Sequence, residues 1–249
     1  MKTSLITLAA TIAVVGVIGC GGGGGNSNTN TPLTCGPNYL TPNYVQATDP
    51  GDGSQNQILV WAGFPLTIRF TNSESATYGG TNFDTTTTFM EAVNRWVVAS
   101  GNAIAINQTT ASTADITVTV NRLPAAPGAG GTLGFTQISY FPSTGQIDSA
   151  RITMNTWPGM TQAQFVNGLR GTMTHEVGHA LFLQGHSDDA NDNMYFQGSS
   201  SQDRSLTTRD ENSFLTAYCG TFASRSRAAK GQPGEQLKTI TIECAGHTH

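Results

Sequence analysis

An α+β domain is predicted by three features of this sequence. Short segments alternate apolar and polar residues, a longer segment repeats apolar residues at helical spacing, and the order runs strand, helix, several strands, helix. Leu66-Thr67-Ile68-Arg69-Phe70 alternates as a strand with one buried face does. Phe89, Val93, Trp96 and Val97 then share one helical face, with Gly101 as the stop, and are assigned to the core. Ile116-Thr117-Val118-Thr119-Val120 alternates again, and Ala150-Arg151-Ile152-Thr153-Met154 forms a further strand. Trp157-Pro158-Gly159 leads into a second helix from about Thr161. A last helix opens at Leu206-Thr207-Thr208-Arg209-Asp210, with Thr207 as N-cap, and closes at Tyr218 and Gly220.

A chain of 249 residues accommodates one sizeable domain with appendages. Met1-Lys2 precedes an apolar run from Leu5 to Ile18, too short for a comfortable membrane span and typical of a secretory signal. The run ends in Val17-Ile18-Gly19-Cys20, which resembles a bacterial lipobox. That resemblance implies cleavage after residue 19, a lipid on Cys20, and a location at the cell envelope, facing the periplasm or the cell surface. The glycines at 21–25 and the Asn/Thr/Ser stretch to Thr31 bury no core and read as a tether. The expected organisation is a signal peptide over 1–19, an anchor and tether over 20–55, a folded domain over 56–220 and a tail over 221–249. Charged residues are 11% of the chain, well under the usual quarter or so, while Gly, Thr, Ser and Asn abound, as suits an exported β-rich protein. A net charge of −4 leaves no electrostatic footprint for nucleic acid, and the expected protein is a monomer. With Cys20 lipidated, Cys35, Cys219 and Cys244 remain, an odd number for an oxidising compartment. A Cys219–Cys244 disulfide is favoured, with Cys35 to either one as the alternatives.

The chemistry is concentrated in His175-Glu176-Val177-Gly178-His179-Ala180-Leu181-Phe182-Leu183-Gln184-Gly185-His186, which holds three of the five histidines in the chain. His175 and His179 stand one helical turn apart on one face, so both imidazoles reach a single ion. Zinc accepts such nitrogens at about 2.0–2.1 Å and, in catalytic sites, takes three protein ligands. Glu176 points to a different angle and suits a base acting on water. An unbroken helix would carry His186 about 16 Å along the axis, out of reach. The chain is therefore expected to turn back after Gln184, with a left-handed Gly185 bringing His186 to the metal.

This segment resembles the metzincin zinc-peptidase motif, H-E-x-x-H-x-x-G-x-x-H, and is most similar to the matrixins. Asn191-Asp192-Asn193-Met194-Tyr195 stands where a matrixin-like Met-turn is expected, and Ser187 after the third histidine also fits. Phe182 occupies the family's glycine position, and one further residue separates His179 from His186. The resemblance covers about residues 56 to 220. It implies a metzincin-like α+β catalytic domain, a twisted, mostly parallel sheet with two long helices, then the Met-turn and a C-terminal helix. It further implies zinc on His175, His179 and His186, Glu176 as general base on a zinc-activated water, and Met194 as a hydrophobic floor. Tyr195 and Phe196 would wall the substrate pocket, and Leu133 and Gly134, within Gly131-Thr132-Leu133-Gly134-Phe135, would lie on an open edge strand that binds extended peptides, a Gly-rich loop beside a strand being the alternative reading.

The implied activity is a zinc metalloendopeptidase acting on proteins and peptides. A different zinc peptidase with Glu211 as third ligand, and a non-cleaving, surface-anchored binding module on the same fold, are the alternatives. Calcium is a second candidate ion, with Asp148 and the Asp188-Asp189 pair as oxygen donors. Pro32-Leu33-Thr34-Cys35-Gly36-Pro37-Asn38 faintly resembles the matrixin cysteine switch, which makes Cys35 a candidate latency ligand, although the motif's arginine and aspartate are missing.

Overall fold

A computed structural model describes residues 59–128, 131–218, 231, 232 and 234–247. Cys20, Cys35 and Cys219, with the signal and tether, lie outside the described residues, as does the side chain of Cys244. The elements in order are β1 (Val60–Trp61), β2 (Leu66–Phe70), β3 (Ser75–Tyr78), β4 (Thr81–Asp84), α1 (Thr85–Ala99), β5 (Ile106–Gln108), β6 (Ile116–Arg122), β7 (Thr132–Phe141) and β8 (Gln146–Thr156). A π-helical turn (Ala163–Gly168) then runs into α2 (Leu169–Leu181), followed by β9 (Gln197–Ser199), α3 (Thr208–Tyr218) and β10 (Lys238–His247).

The fold is α+β, with a mixed, mostly parallel sheet. Its order is β5-β2-β6-β8-β7-β10-β9, with β1 beside β8. Parallel pairing joins β5, β2, β6 and β8, while β7 is antiparallel to both β8 and β10. The strand alternation has a plain physical cause. Ile116, Val118, Val120, Ile138, Ala150, Ile152 and Met154 are buried under the helices, while the opposite face is mostly polar and largely half-buried. Across that face Ser139 meets Thr239 at 3.0 Å and Gln137 donates to Thr241 at 3.2 Å, which is where the threonine- and serine-rich composition is used.

The sequence places residues 221–249 in a tail, and β10 corrects that expectation. Thr239 and Thr241 alternate with buried Ile240 and Ile242, so this stretch has the period of a half-buried strand and completes the sheet.

Helix α1 is capped by Asp84, whose carboxylate accepts from the Thr87 N–H at 2.8 Å, and it ends before Gly101, at φ 65°. Helix α3 begins with a reciprocal cap. The Asp210 N–H donates to the Thr207 hydroxyl at 3.2 Å, and the Thr207 N–H donates to the Asp210 carboxylate at 2.8 Å.

Helix α2 is buried from Gly171 to Leu181 and packs on β7 and β8 with α1 beside it. Its end differs from the expectation. The helix stops at Leu181, three residues before Gln184, and Gly185 is not among the residues with positive φ. Phe182 leaves the helix at φ −162° and ψ −28° because its ring is drawn into the core. There it meets Trp96 and Phe214 edge-on, with centroids 5.6 and 5.5 Å away. Among the described residues no helix is long and apolar enough to cross a membrane.

Phe182 is wholly buried, so Phe182→Ala should cost about 3–5 kcal/mol. A urea-unfolding midpoint that falls accordingly checks this, and an unchanged midpoint contradicts it.

Candidate metal centre

Two turns of α2 carry His175, Glu176 and His179 into the interior, all of them buried. The two imidazoles meet through their Nε2 atoms, 3.0 Å apart. Each Nδ1 faces a main-chain carbonyl, that of Asn193 for His175 and that of Leu183 for His179, both at 2.6 Å. A carbonyl oxygen only accepts, so each Nδ1 carries the proton and each Nε2 presents a lone pair. Two lone pairs aimed at each other across 3.0 Å repel unless a cation lies between them. Across a tetrahedral zinc two such nitrogens would stand about 3.3 Å apart, close to this arrangement.

His186 completes the group. Its ring centroid lies 5.3 Å from that of His175 and 4.9 Å from that of His179. One ligand atom from each of the three histidines falls within 4.8 Å of the others, so the set could hold a metal ion. Burial keeps the imidazoles in the neutral, ligating form. It lowers His175 to about 3, helped by the charge of His186, pushes His179 well below its ordinary value, and lowers His186 as well. Among the described residues this is the one such group of histidine, cysteine or acidic side chains.

His186 reaches the site because the chain after it is tied into a compact loop. The Ser187 N–H donates to the Met194 carbonyl at 2.8 Å, and Ser187 forms a bridge with Tyr195. Asp192 accepts from Thr207 Oγ1 at 2.5 Å, from Arg209 Nε at 2.9 Å and from the Ser187 hydroxyl. Asp210, from the first turn of α3, accepts the N–H groups of Asn193 at 2.9 Å and Met194 at 3.2 Å. The same Asn193 supplies the carbonyl that orients His175, so Asp210 acts on that imidazole through one residue. Met194 is fully buried against α2. A Cβ at Gly178 would collide with its sulfur and stand 2.9 Å from Trp96, which is why the helix carries glycine there.

Glu176 is turned toward β7, where the buried Thr136 hydroxyl lies 2.7 Å from its Oε2 and 3.1 Å from its main-chain carbonyl. A side chain at Gly134 would press to 3.1 Å of Glu176 Oε1, so the backbone of β7 passes directly over the carboxylate. Beside His175 a cavity is lined by Leu133, Thr172, Asn193, Gly198, Ser199 and Arg204 together with Gly171 and Gln202.

Several expected positions fall elsewhere. Tyr195 and Phe196 are not among the residues lining that cavity. The Arg204 guanidinium covers the Tyr195 ring at 5.8 Å, and Phe196 packs on Tyr195 with the rings tilted and their centroids 4.4 Å apart, and is 44% exposed. The edge of β7 is not open, because β10 pairs along it. Glu211 lines a separate cavity with Asn94, Arg95 and Val98, away from the histidines. Asp188 pairs with Arg209 at 2.6 Å and Asp189 accepts from the Asn191 N–H at 2.9 Å, while Asp148 lies in another cavity with Asp115. Thr136 and Asp210, which the sequence reading did not select for the site, hold the acid and the loop.

No protein-family model matches this sequence, and no curated protein shows significant similarity to it.

Asp210→Ala leaves the buried N–H groups of Asn193 and Met194 without their carboxylate and removes the helix cap. The expected loss is about 3 kcal/mol or more, accompanied by weaker retention of bound metal on dialysis. Wild-type stability and metal content together contradict this role.

Proposed function

We propose that the chain is a zinc-dependent metalloendopeptidase of matrixin-like metzincin type, exported and lipid-anchored through Cys20. The observation that carries this reading is the pairing of two kinds of group. Two buried imidazoles and the half-buried His186 bring one ligand atom each within 4.8 Å of the others, and Glu176, one residue from His175, is held by Thr136 on the strand above it. Imidazole sets also suit copper, iron and nickel, and zinc is preferred here because the H-E-x-x-H helix supplies the base that zinc hydrolysis requires.

Zinc, when bound, supplies a Lewis acid for the scissile carbonyl and lowers the pKa of a water toward about 7. The remaining work belongs to the chain. His175 and His179 are fixed as Nε2 ligands by their carbonyl partners, and His186 is delivered by the loop that Asp192 and Asp210 brace. Glu176 takes the proton from the attacking water and returns it to the leaving amine, with Thr136 holding its other oxygen in register. Burial of the site restricts bulk water and strengthens each of these polar contacts. One feature favours a non-cleaving binding module on the same scaffold, the strand β10 that lies on β7 beside the site.

Glu176→Ala is expected to bind zinc in the wild-type ratio and to lose at least about 10²-fold in cleavage of a denatured protein. Chelation should abolish the wild-type activity and added zinc restore it. Cleavage by Glu176→Ala at the wild-type rate contradicts the role of this residue. Absence of cleavage by the zinc-loaded chain both with and without residues 244–249 favours the binding module.

A further inference from the structure

The start of β7 and the short strand β9 face each other across the cleft in front of His175. Leu133 from β7 and Gly198 and Ser199 from β9 line the same cavity as that histidine. Strand β10 runs between these two walls. Cys244 pairs with Gly134 and Ala245 with Thr132 on the β7 side, while Ala245, Gly246 and His247 pair in parallel with Gln197, Gly198 and Ser199 of β9. Gly134 is the residue whose Cα sits over the Glu176 carboxylate, so the main chain of residues 244–247 crosses the cleft where an extended peptide must lie to reach that base.

A strand has two edges, and both edges of β7 are used. Gly134 is opposite Met154 of β8 on one side and Cys244 on the other. No peptide can add to β7 at this level while residues 244–247 are in place. We propose that residues 244–247 are an internal occupant of the substrate cleft, bound as an extended peptide ligand is bound, and that their release is the step that admits substrate. The inference rests on the peptidase reading of the site.

The construction of β10 suits such a release. From Lys238 to Cys244 the ladder is regular, and Ile240 and Ile242 anchor it in the core. Between Cys244 and Ala245 the register shifts, skipping Leu133, and a break of this kind interrupts the ladder. The end beyond it is held by a few pairs to β7 and β9 and can separate while the anchored part keeps its place in the sheet.

The test compares the full chain with a variant lacking residues 244–249 and with Ala245→Pro, which keeps the length but removes a backbone donor from the strand. Both variants should cleave a denatured protein with kcat/KM raised at least about tenfold, the gain expected when the cleft is open in a tenth or less of the full chains. A labelled synthetic peptide of residues 238–249 should bind the shortened chain carrying Glu176→Gln, and an unrelated extended substrate peptide should displace it. Equal cleavage by the full chain and both variants overturns the inference, as does a labelled peptide that fails to bind or that binds and is not displaced. Should no form cleave with zinc bound, the peptidase reading fails, and displacement of the labelled peptide still decides whether residues 244–247 occupy a peptide cleft.

Discussion

Burial of α2 on nearly every side imposes the condition that the rest of the molecule meets. A helix in that position has its own hydrogen bonds satisfied, yet its last carbonyls have no partner within the helix and no water nearby. Here the carbonyls of Ala180 and Leu181 accept from Trp61 of β1 and Tyr218 of α3, and that of Thr174 accepts from Trp96 of α1. Three separate elements are thereby tied to the backbone of the helix that carries His175, Glu176 and His179. Each tie also satisfies an aromatic N–H or O–H that would otherwise be buried without a partner. Packing and polar satisfaction therefore fix the same object, the azimuth of α2, and with it the direction of both imidazoles.

Around this helix charge is used sparingly and in closed groups. Asp203 receives Arg95 from α1 at 2.7 Å and Arg170 from α2 at 2.8 Å, joining both helices to the segment between β9 and α3. Burial alone would raise the Asp203 carboxyl, but the hydrogen bonds and charges of the two arginines outweigh it and hold the group below the ordinary carboxylate range. Asp192 and Asp210 serve the loop in the same way, one through Arg209 and one through backbone N–H groups. The loop that carries His186 is thus braced by carboxylates, while Met194 is buried against Gly178 of the helix.

The central strands and the pairing of His175 with His179 on α2 were legible because their signals are local. Ile116 to Val120 alternates strictly since helices cover one face of β6 and threonines meet solvent on the other. Thr239 to Ile242 carries the same alternation, and its reading as tail came from its place after the last helix rather than from its residues. The two- and three-residue strands β1, β5 and β9 are too short to show a period. His175 and His179 are neighbours by helical geometry alone, whereas Thr136 meets Glu176 across 40 positions and Asp210 meets Asn193 across 17. The end of α2 was misplaced for a related reason. Glycine was the local signal for the turn, while the contacts that decide it are those of Phe182 with Trp96 and Phe214.

X-ray absorption at the zinc edge of the purified chain is the direct test of the proposed open zinc site formed by His175 and His179 of α2 with His186. The expected spectrum has three imidazole nitrogens at about 2.0–2.1 Å and a further light scatterer from solvent. A shell containing sulfur, a fourth protein ligand that closes the sphere, or a chain that purifies without stoichiometric zinc after growth with the metal would contradict it.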